Sequence, residues 1–258
     1  MLALLYWECH IKAIYMKVSI VTVCKNSAFH IEKAIKSVLE QKYVDRQYII
    51  IDGQSNDNTL EIINKYNSGI DIIVSEPDTG IYNAMNKALT FVNGEVVYFL
   101  NSDDCFFDED VLSDVAEEFK KDRQAMIVHG NVVFNSGGKN KVIRSDKISR
   151  RYFYKHTICH QALFVKKQLF DIIGGYDEGY PIHADTDWLM KAFLKYRVKF
   201  KYIDRTMSYY SAGGFSGSEI FAERYKYDRQ EISAKYFLEA KCKLIVKKIL
   251  KRFGLMDR

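Results

Sequence analysis

Two adjacent carboxylates, Asp103 and Asp104, follow directly on the short apolar run 96–100. Side by side they repel each other, so something of opposite charge is expected at the site they face. A hard divalent cation shared with substrate phosphates meets that need, because such ions take one or two carboxylates and complete their shell with phosphate oxygen and water. The competing interpretation is structural. Asp108 and Asp110 come next and Val111 opens a helical apolar pattern, so the acids could belong to a loop that caps that helix.

The elements around this pair decide where it would sit. Residues 18–24 form an apolar, β-branched run, and Ser27 is expected to cap a helix with Ile31, Ala34, Ile35, Val38 and Leu39 on one face. Residues 48–51 read as the next strand, followed by the turn Asp52-Gly53-Gln54-Ser55-Asn56-Asp57. A helix from near Asn58 turns Leu60 and Ile63 inward, 70–74 gives a third strand, and a helix from Ile81 carries Met85, Leu89 and Val92. Residues 96–100 are the fourth strand. Four strand–helix alternations with short connections predict a mostly parallel, doubly wound α/β sheet. Polar residues close every strand: Lys25-Asn26, Asp52-Gly53, Glu76 to Asp78, and Asn101 to Asp104. In such a sheet these ends line one crevice, where ligands bind.

Beyond Asp104 the alternation loosens. A helix is expected over 111–121, a strand over 126–134, a mobile polar stretch over 135–146, and another strand over 162–165 after His160-Gln161. Gly174-Gly175-Tyr176 marks a turn, and Asp185 opens an amphipathic helix with Trp188, Leu189 and Phe193. His160 and Gln161 could face the crevice or serve as hydrogen-bonded structural groups. Gly213-Gly214-Phe215-Ser216 could form a flexible loop or a plain surface turn. Tyr82 and Met85 fit the core or the cleft rim better than chemistry.

The chain has 258 residues, 48% of them apolar, enough for one large domain with an appended segment. Its five cysteines, 9, 24, 105, 159 and 242, have no metal-ligand spacing and read as thiols of a reducing compartment. The formal charge is +5, yet residues 235–258 alone hold eight basic residues against Glu239 and Asp257. The rest is near neutral, which argues against a nucleic-acid-binding body. Leu238, Cys242, Ile245, Ile249 and Phe253 fall on one helical stripe flanked by lysines, a pattern suited to an anionic membrane surface or to packing on the catalytic body. Residues 1–16 read as an extension with Met16 as an alternative start. No apolar run reaches membrane-spanning length.

The ordered motifs resemble a family 2 glycosyltransferase of the GT-A fold, of the bacterial surface-polysaccharide type. Val18-Ser19-Ile20-Val21-Thr22-Val23-Cys24-Lys25-Asn26 is similar to the family's first strand and base-binding loop. Ile51-Asp52-Gly53-Gln54-Ser55-Asn56-Asp57-Asn58-Thr59 resembles its second-strand motif. Ser75-Glu76-Pro77-Asp78-Thr79-Gly80-Ile81-Tyr82-Asn83-Ala84-Met85-Asn86-Lys87-Ala88 follows a version common among bacterial polysaccharide transferases. Leu100-Asn101-Ser102-Asp103-Asp104 stands at the metal-binding DXD element, and His183-Ala184-Asp185-Thr186-Asp187-Trp188-Leu189 resembles the segment supplying the catalytic base.

The resemblance implies a catalytic domain over 17–218, with a nucleotide-sugar half (17–104) and an acceptor half (105–218), and a basic amphipathic helical tail over 219–258. It implies a nucleotide-diphosphate sugar bound by Val23, Lys25, Asn26, Asp52, Asp78 and Asp103, the last on the ribose. Asp104 would be the principal ligand of Mn²⁺ or Mg²⁺, with Asp103 nearby. His160, Gln161, Gly213, Gly214 and Ser216 would lie on the donor and acceptor side. Asp185 would be the base that deprotonates a glycan or lipid-linked acceptor, with Asp187 as the alternative. The expected setting is the inner face of the cell membrane, with the enzyme cytoplasmic and peripheral. Two departures stand out: Gly53 replaces an acid that often touches the nucleobase, leaving that contact to backbone or to Asp78, and Asn101 replaces the first acid of DXD. A nucleotidyltransferase is the enzyme alternative, disfavoured because Cys24-Lys25-Asn26-Ser27 has no glycine. A non-catalytic nucleotide-sugar-binding protein is the other alternative and would not need Asp185.

Overall fold

The computed structural model describes residues 16–136, 138–211 and 222–238. The first half runs β1 (Val18–Cys24), α1 (Ile31–Leu39), β2 (Arg46–Asp52), α2 (Thr59–Asn64), β3 (Ile72–Ser75), α3 (Ile81–Leu89) and β4 (Val96–Phe99). The second runs β5 (Cys105–Phe106), α4 (Val111–Lys121), β6 (Ile127–Ser136), β7 (Lys139–Ile143), α5 (Arg150–Lys155), β8 (Leu163–Lys166), α6 (Gln168–Ile173), α7 (Ala184–Met190), β9 (Phe200–Ser211) and α8 (Ala222–Ser233). The nine strands of the described residues join one sheet in the order β3-β2-β1-β4-β8-β6-β9-β5, with β7 paired to β6.

The alternation of side chains along each strand builds two cores. Val18, Ile20, Tyr48, Ile50, Val96 and Tyr98 face one side with the apolar faces of α1 and α4. Val21, Val23, Ile49, Ile51, Val97 and Phe99 face the other, with α3, α6 and α7. Helices on both faces explain why β1 and β4 are buried along their whole length rather than alternating between core and solvent. The first four strands are parallel, as the alternation predicted. The chain lays β2 and β3 on one side of β1 and then returns to set β4 on the other side. That reversal opens a crevice at the carboxyl ends of β1 and β4.

The second half mixes directions: β8 runs antiparallel to β4 and β6, β9 parallel to β6, and β5 antiparallel to β9. The polar stretch 135–146, expected to be mobile, instead contributes β7, which pairs with β6 from Val132↔Ile143 to Ser136↔Lys139. Its exposed, charged face hid a strand whose only apolar signal is Val142 and Ile143. Ser27 does not cap α1 through its side chain. His30 is the cap residue, the Ser27 carbonyl accepts from the His30 and Ile31 amides, and the Ser27 hydroxyl pairs with Ser102 at 2.9 Å. The β1 and β4 loops are thereby joined at the crevice. No helix among the described residues is long and apolar enough to cross a membrane.

Candidate active site

A cleft of about 640 Å³ opens at the carboxyl ends of β1 and β4, lined by Val23, Lys25, Asn26 and Asp78 at one end. Because the sheet runs β3-β2-β1-β4-β8, Asn101 to Asp104 after β4 come next and His160-Gln161 before β8 beyond them, with Asp185 beside His160 and His183 also on the wall. The polar ends of β1, β3 and β4 converge on it, because a parallel sheet points them the same way, whereas Asp52 and Gly53 at the end of β2 are not among its lining residues.

Asn26 sits at φ 50°, a left-handed conformation that asparagine tolerates. Its amide donates to the Ser55 hydroxyl (2.8 Å), and its Oδ1 accepts the Asn56 amide (3.0 Å). Asp52 is fully buried rather than on the cleft wall. Its Oδ2 accepts from the Ser55 amide (2.9 Å) and the Ser75 hydroxyl (2.7 Å), and the Ser55 hydroxyl donates to Oδ1. These bonds fold the β2 loop and tie it to β3, so Asp52 shapes the nucleotide end without facing it.

Asp104 is 2% exposed. Its Oδ2 accepts from the Gln161 amide at 3.0 Å. Gln161 is fixed in turn by its carbonyl, which accepts from the Tyr98 hydroxyl (2.7 Å) and the Ser208 hydroxyl (3.0 Å). Tyr98 has no freedom of its own, being stacked on Phe164 and Phe106 with centroids 4.2 and 5.0 Å away. A buried aromatic stack thus aims one amide at one carboxylate. Asn101 Oδ1 is buried and accepts no hydrogen bond among the described residues. Orphaned buried acceptors are costly and call for an explanation.

At the far end His160 Nδ1 lies 3.7 Å from Asp185 Oδ2. Asp185 Oδ1 accepts from the Thr186 amide (2.7 Å) and lies 3.0 Å from the Tyr82 hydroxyl, which also reaches the Ile182 carbonyl at 2.7 Å. Burial works against the Asp185 charge, but the His160 hydrogen bond and charge, His183 and the Thr186 amide outweigh it and hold the carboxyl below its usual range. Burial likewise opposes a cationic His160, and Asp185, Asp104 and Asp103 overcome it to raise the imidazole above its ordinary value. Tyr82, expected in the core or at the rim, belongs to the site through that hydroxyl.

Asp185 lies in the first turn of α7, where His183 is the cap residue, so its carboxylate is turned to the cleft rather than used as a cap. Asp187 faces the other way. It is 4% exposed, and its Oδ1 pairs with Lys235 Nζ at 2.8 Å. Lys235, counted above with the basic tail, therefore has its partner within the body.

The expected boundary at residue 219 is not where packing ends. In α8 the fully buried Asp228 pairs with Arg224 (2.6 Å) and accepts the Ile182 amide (3.4 Å). Arg224 reaches the Gly179 carbonyl, and Arg229 reaches those of Phe153 and His156. Tyr225 sets its ring 4.3 Å from His183 on the cleft wall. These contacts were missed in the sequence; the Arg224/Asp228 spacing of four was the available signal, but it does not say what the pair packs against. Gly213, Gly214 and Ser216, and the stripe from Cys242 to Phe253, lie outside the described residues.

Among the described residues no group of three or more His, Cys, Asp or Glu side chains gathers as a preformed metal site. The cleft does hold oxygen donors in one place: the Asp103 and Asp104 carboxylates and the orphaned Asn101 oxygen. That set suits Mg²⁺ or Mn²⁺, which take few protein ligands and leave room for water and phosphate.

A Rossmann-like sheet, reversed at β1 and β4 with acids at the reversal, defines a nucleotide-binding α/β protein of the GT-A class. Residues 19–174 match the Glycosyl transferase family 2 profile, and the chain belongs to that family. A PGL/p-HBAD biosynthesis glycosyltransferase of Mycobacterium bovis (strain BCG / Pasteur 1173P2) is 30% identical over 214 residues, covering 80% of this chain and 81% of that protein. Among solved structures, S. aureus TarS 1-349 in complex with UDP-GlcNAc matches with a TM-score of 0.66 and 18% identity, over 86% of this chain and 71% of that one. The chain spans 43% of the longer TarS structure. The mannosyltransferase PcManGT from Pyrobaculum calidifontis, in complex with GDP-Man and Mn²⁺, matches with a TM-score of 0.64 and 16% identity, over 92% and 71%.

Proposed function

We propose that this glycosyltransferase moves a sugar from a nucleotide-diphosphate sugar to a hydroxyl of a glycan or lipid-linked acceptor, with inversion, in the synthesis of a bacterial surface polysaccharide. The observation that carries it is one cleft lined by the acidic pair Asp103 and Asp104 and by the half-buried Asp185, which lies 3.7 Å from His160. The nucleotide would lie from Val23, Lys25 and Asp78 toward Asp103, which accepts hydrogen bonds from ribose hydroxyls. Asp104 and Asn101, with Asp103 nearby, would hold Mn²⁺ or Mg²⁺, whose contribution when bound is to neutralise charge on the diphosphate.

The acceptor enters at the Asp185 end. As its oxygen bonds to the anomeric carbon, the carbon–phosphate-oxygen bond breaks, and the acceptor proton passes to Asp185. A carboxylate held below its usual range is a weak base, so proton transfer accompanies bond formation rather than preceding it. A cationic His160 suits this role, because it keeps Asp185 ionised until the acceptor proton arrives. Asp187 is disfavoured as base because it does not line the cleft and its carboxylate is turned to Lys235.

The proposal extends to peripheral attachment at the inner face of the cell membrane through residues 235–258. Its support is the clustered basic charge. The test of the activity is turnover of a panel of uridine- and guanosine-diphosphate sugars with Mn²⁺, comparing wild type with Asp185→Asn. Donor binding with no transfer to any acceptor by the wild type would favour the non-catalytic binding protein.

A further inference from the structure

Gly53, the residue after β2, is buried and has no side chain of its own in the cleft. Its amide donates to the Cys24 carbonyl at 2.8 Å, which pins its backbone beside the end of β1. A Cβ added to Gly53 would lie 2.0 Å from Asp78 Oδ2, 3.0 Å from Asp78 Cγ and 3.3 Å from the Lys25 stem. The Asp78 carboxylate therefore fills the volume that a side chain at 53 would take. Its rotation is set by the Gly80 amide, which donates to Oδ1 at 3.0 Å and leaves Oδ2 against Gly53. Asp78 and Lys25 both line the cleft, at the carboxyl ends of β3 and β1, on the other side of β4 from β8 and the His160–Asp185 pair.

We infer that Asp78, seated over Gly53, is the group that selects the nucleobase, accepting a ring N–H and so admitting uracil, thymine or guanine donors while rejecting cytosine and adenine. This rests on the nucleotide-sugar proposal above. With the ribose at Asp103, the diphosphate at Asp104 and the acceptor at Asp185, the base is left with the Val23–Lys25 and Asp78 end. A carboxylate has acceptors only. Uracil and thymine offer it N3–H, and guanine offers N1–H and its amino group. Cytosine and adenine turn a ring lone pair toward the same point, which leaves both partners unsatisfied. Discrimination built on an unpaired polar group is strong. A hydrogen bond to a charged partner changes affinity by about ten- to hundredfold. Gly53 is the matching requirement: any side chain there expels the carboxylate.

Calorimetric titration of the full chain with UDP, GDP, CDP and ADP, each with the same Mn²⁺, tests it. Wild type should bind UDP or GDP at least about tenfold tighter than CDP and ADP. Asp78→Asn keeps the shape but adds a donor, so it should raise CDP affinity and bring it close to that of UDP. Gly53→Ala should weaken UDP binding in the wild-type background and have little effect when Asp78 is already glycine, a coupling that an additive structural effect would not give. Equal UDP and CDP binding by wild type, or unchanged discrimination in Asp78→Asn, overturns the inference while leaving the nucleotide-sugar proposal intact. Failure of wild type to bind any of the four overturns that proposal and this one with it.

Discussion

Asp185→Asn removes a negative charge while preserving the shape of the side chain, and its consequences can be followed to two observables. The amide oxygen can still accept from Thr186 and Tyr82, so donor binding and the α7 start should survive. The acceptor proton loses its taker, and the rate should fall by about 10²- to 10⁴-fold, the usual scale of a positioned base. The second observable is His160. Asp185 is the leading force raising that imidazole against its burial. Without it the burial penalty gains weight, and His160 should titrate below its wild-type value. The pair also links stability to pH. Asp185 is lowered in the folded state, so its contribution is present above the unfolded carboxyl pKa, near 3.9, and is lost as pH falls through the folded value. His160 is raised, so its contribution is full below about 6.5 and is lost as pH rises through its folded value. Wild type should therefore exceed the variant in stability most clearly between about pH 4 and 6.5, and less at pH 9. Single-turnover kinetics, imidazole NMR titration and denaturant unfolding across pH measure these effects. A near-normal rate, or an unmoved His160 titration, would refute the assignment of Asp185 as an ionised base paired with that histidine.

Asp104→Asn should abolish Mn²⁺-stimulated transfer while retaining the wild-type melting temperature within a few degrees; an active variant, or wild-type turnover indifferent to a chelator, would remove the metal role. Lys235→Met leaves the nearly buried Asp187 without its cation. The loss should be about 1–2 kcal/mol in urea unfolding, below the usual cost of breaking a fully buried pair because Lys235 is 36% exposed. Adding Asp187→Asn to Lys235→Met should recover part of it. A chain ending after Leu238 should lose salt-sensitive sedimentation with anionic vesicles that the full chain shows, at about 1 kcal/mol per basic residue near the surface. Equal binding by both would assign the segment to packing instead.

Much of the nucleotide half was legible because its determinants are local. Four apolar runs separated by helical stripes define parallel strands, and a parallel sheet necessarily gathers its carboxyl-terminal loops on one edge. That is why Asp103, Asp104, Lys25 and Asp78 could be set in one cleft from spacing alone. The same local rules misjudged residues 135–146, where β7 is held by cross-strand pairing to β6 rather than by its own apolar content. They also assigned Ser27 to a cap, when a hydroxyl can equally bond a neighbouring loop and here finds Ser102.

The sequence by itself determined the four parallel strands of the first half, the polar residues at their ends, and the identity of the acids available for chemistry. Tertiary structure alone decided which acid faces what. Asp185 and Asp187 are two residues apart on α7, and no pattern separates them; helical geometry turns one toward His160 and the other toward Lys235. Asp52 and Asp78 both close strands, yet Asp52 is consumed by Ser55 and Ser75 while Asp78 rests on the bare backbone of Gly53. Gln161 meets Asp104 across 57 positions because Tyr98 is stacked in the core. A carboxylate's role depends on partners contributed from distant segments, and only the folded chain brings them within hydrogen-bond reach.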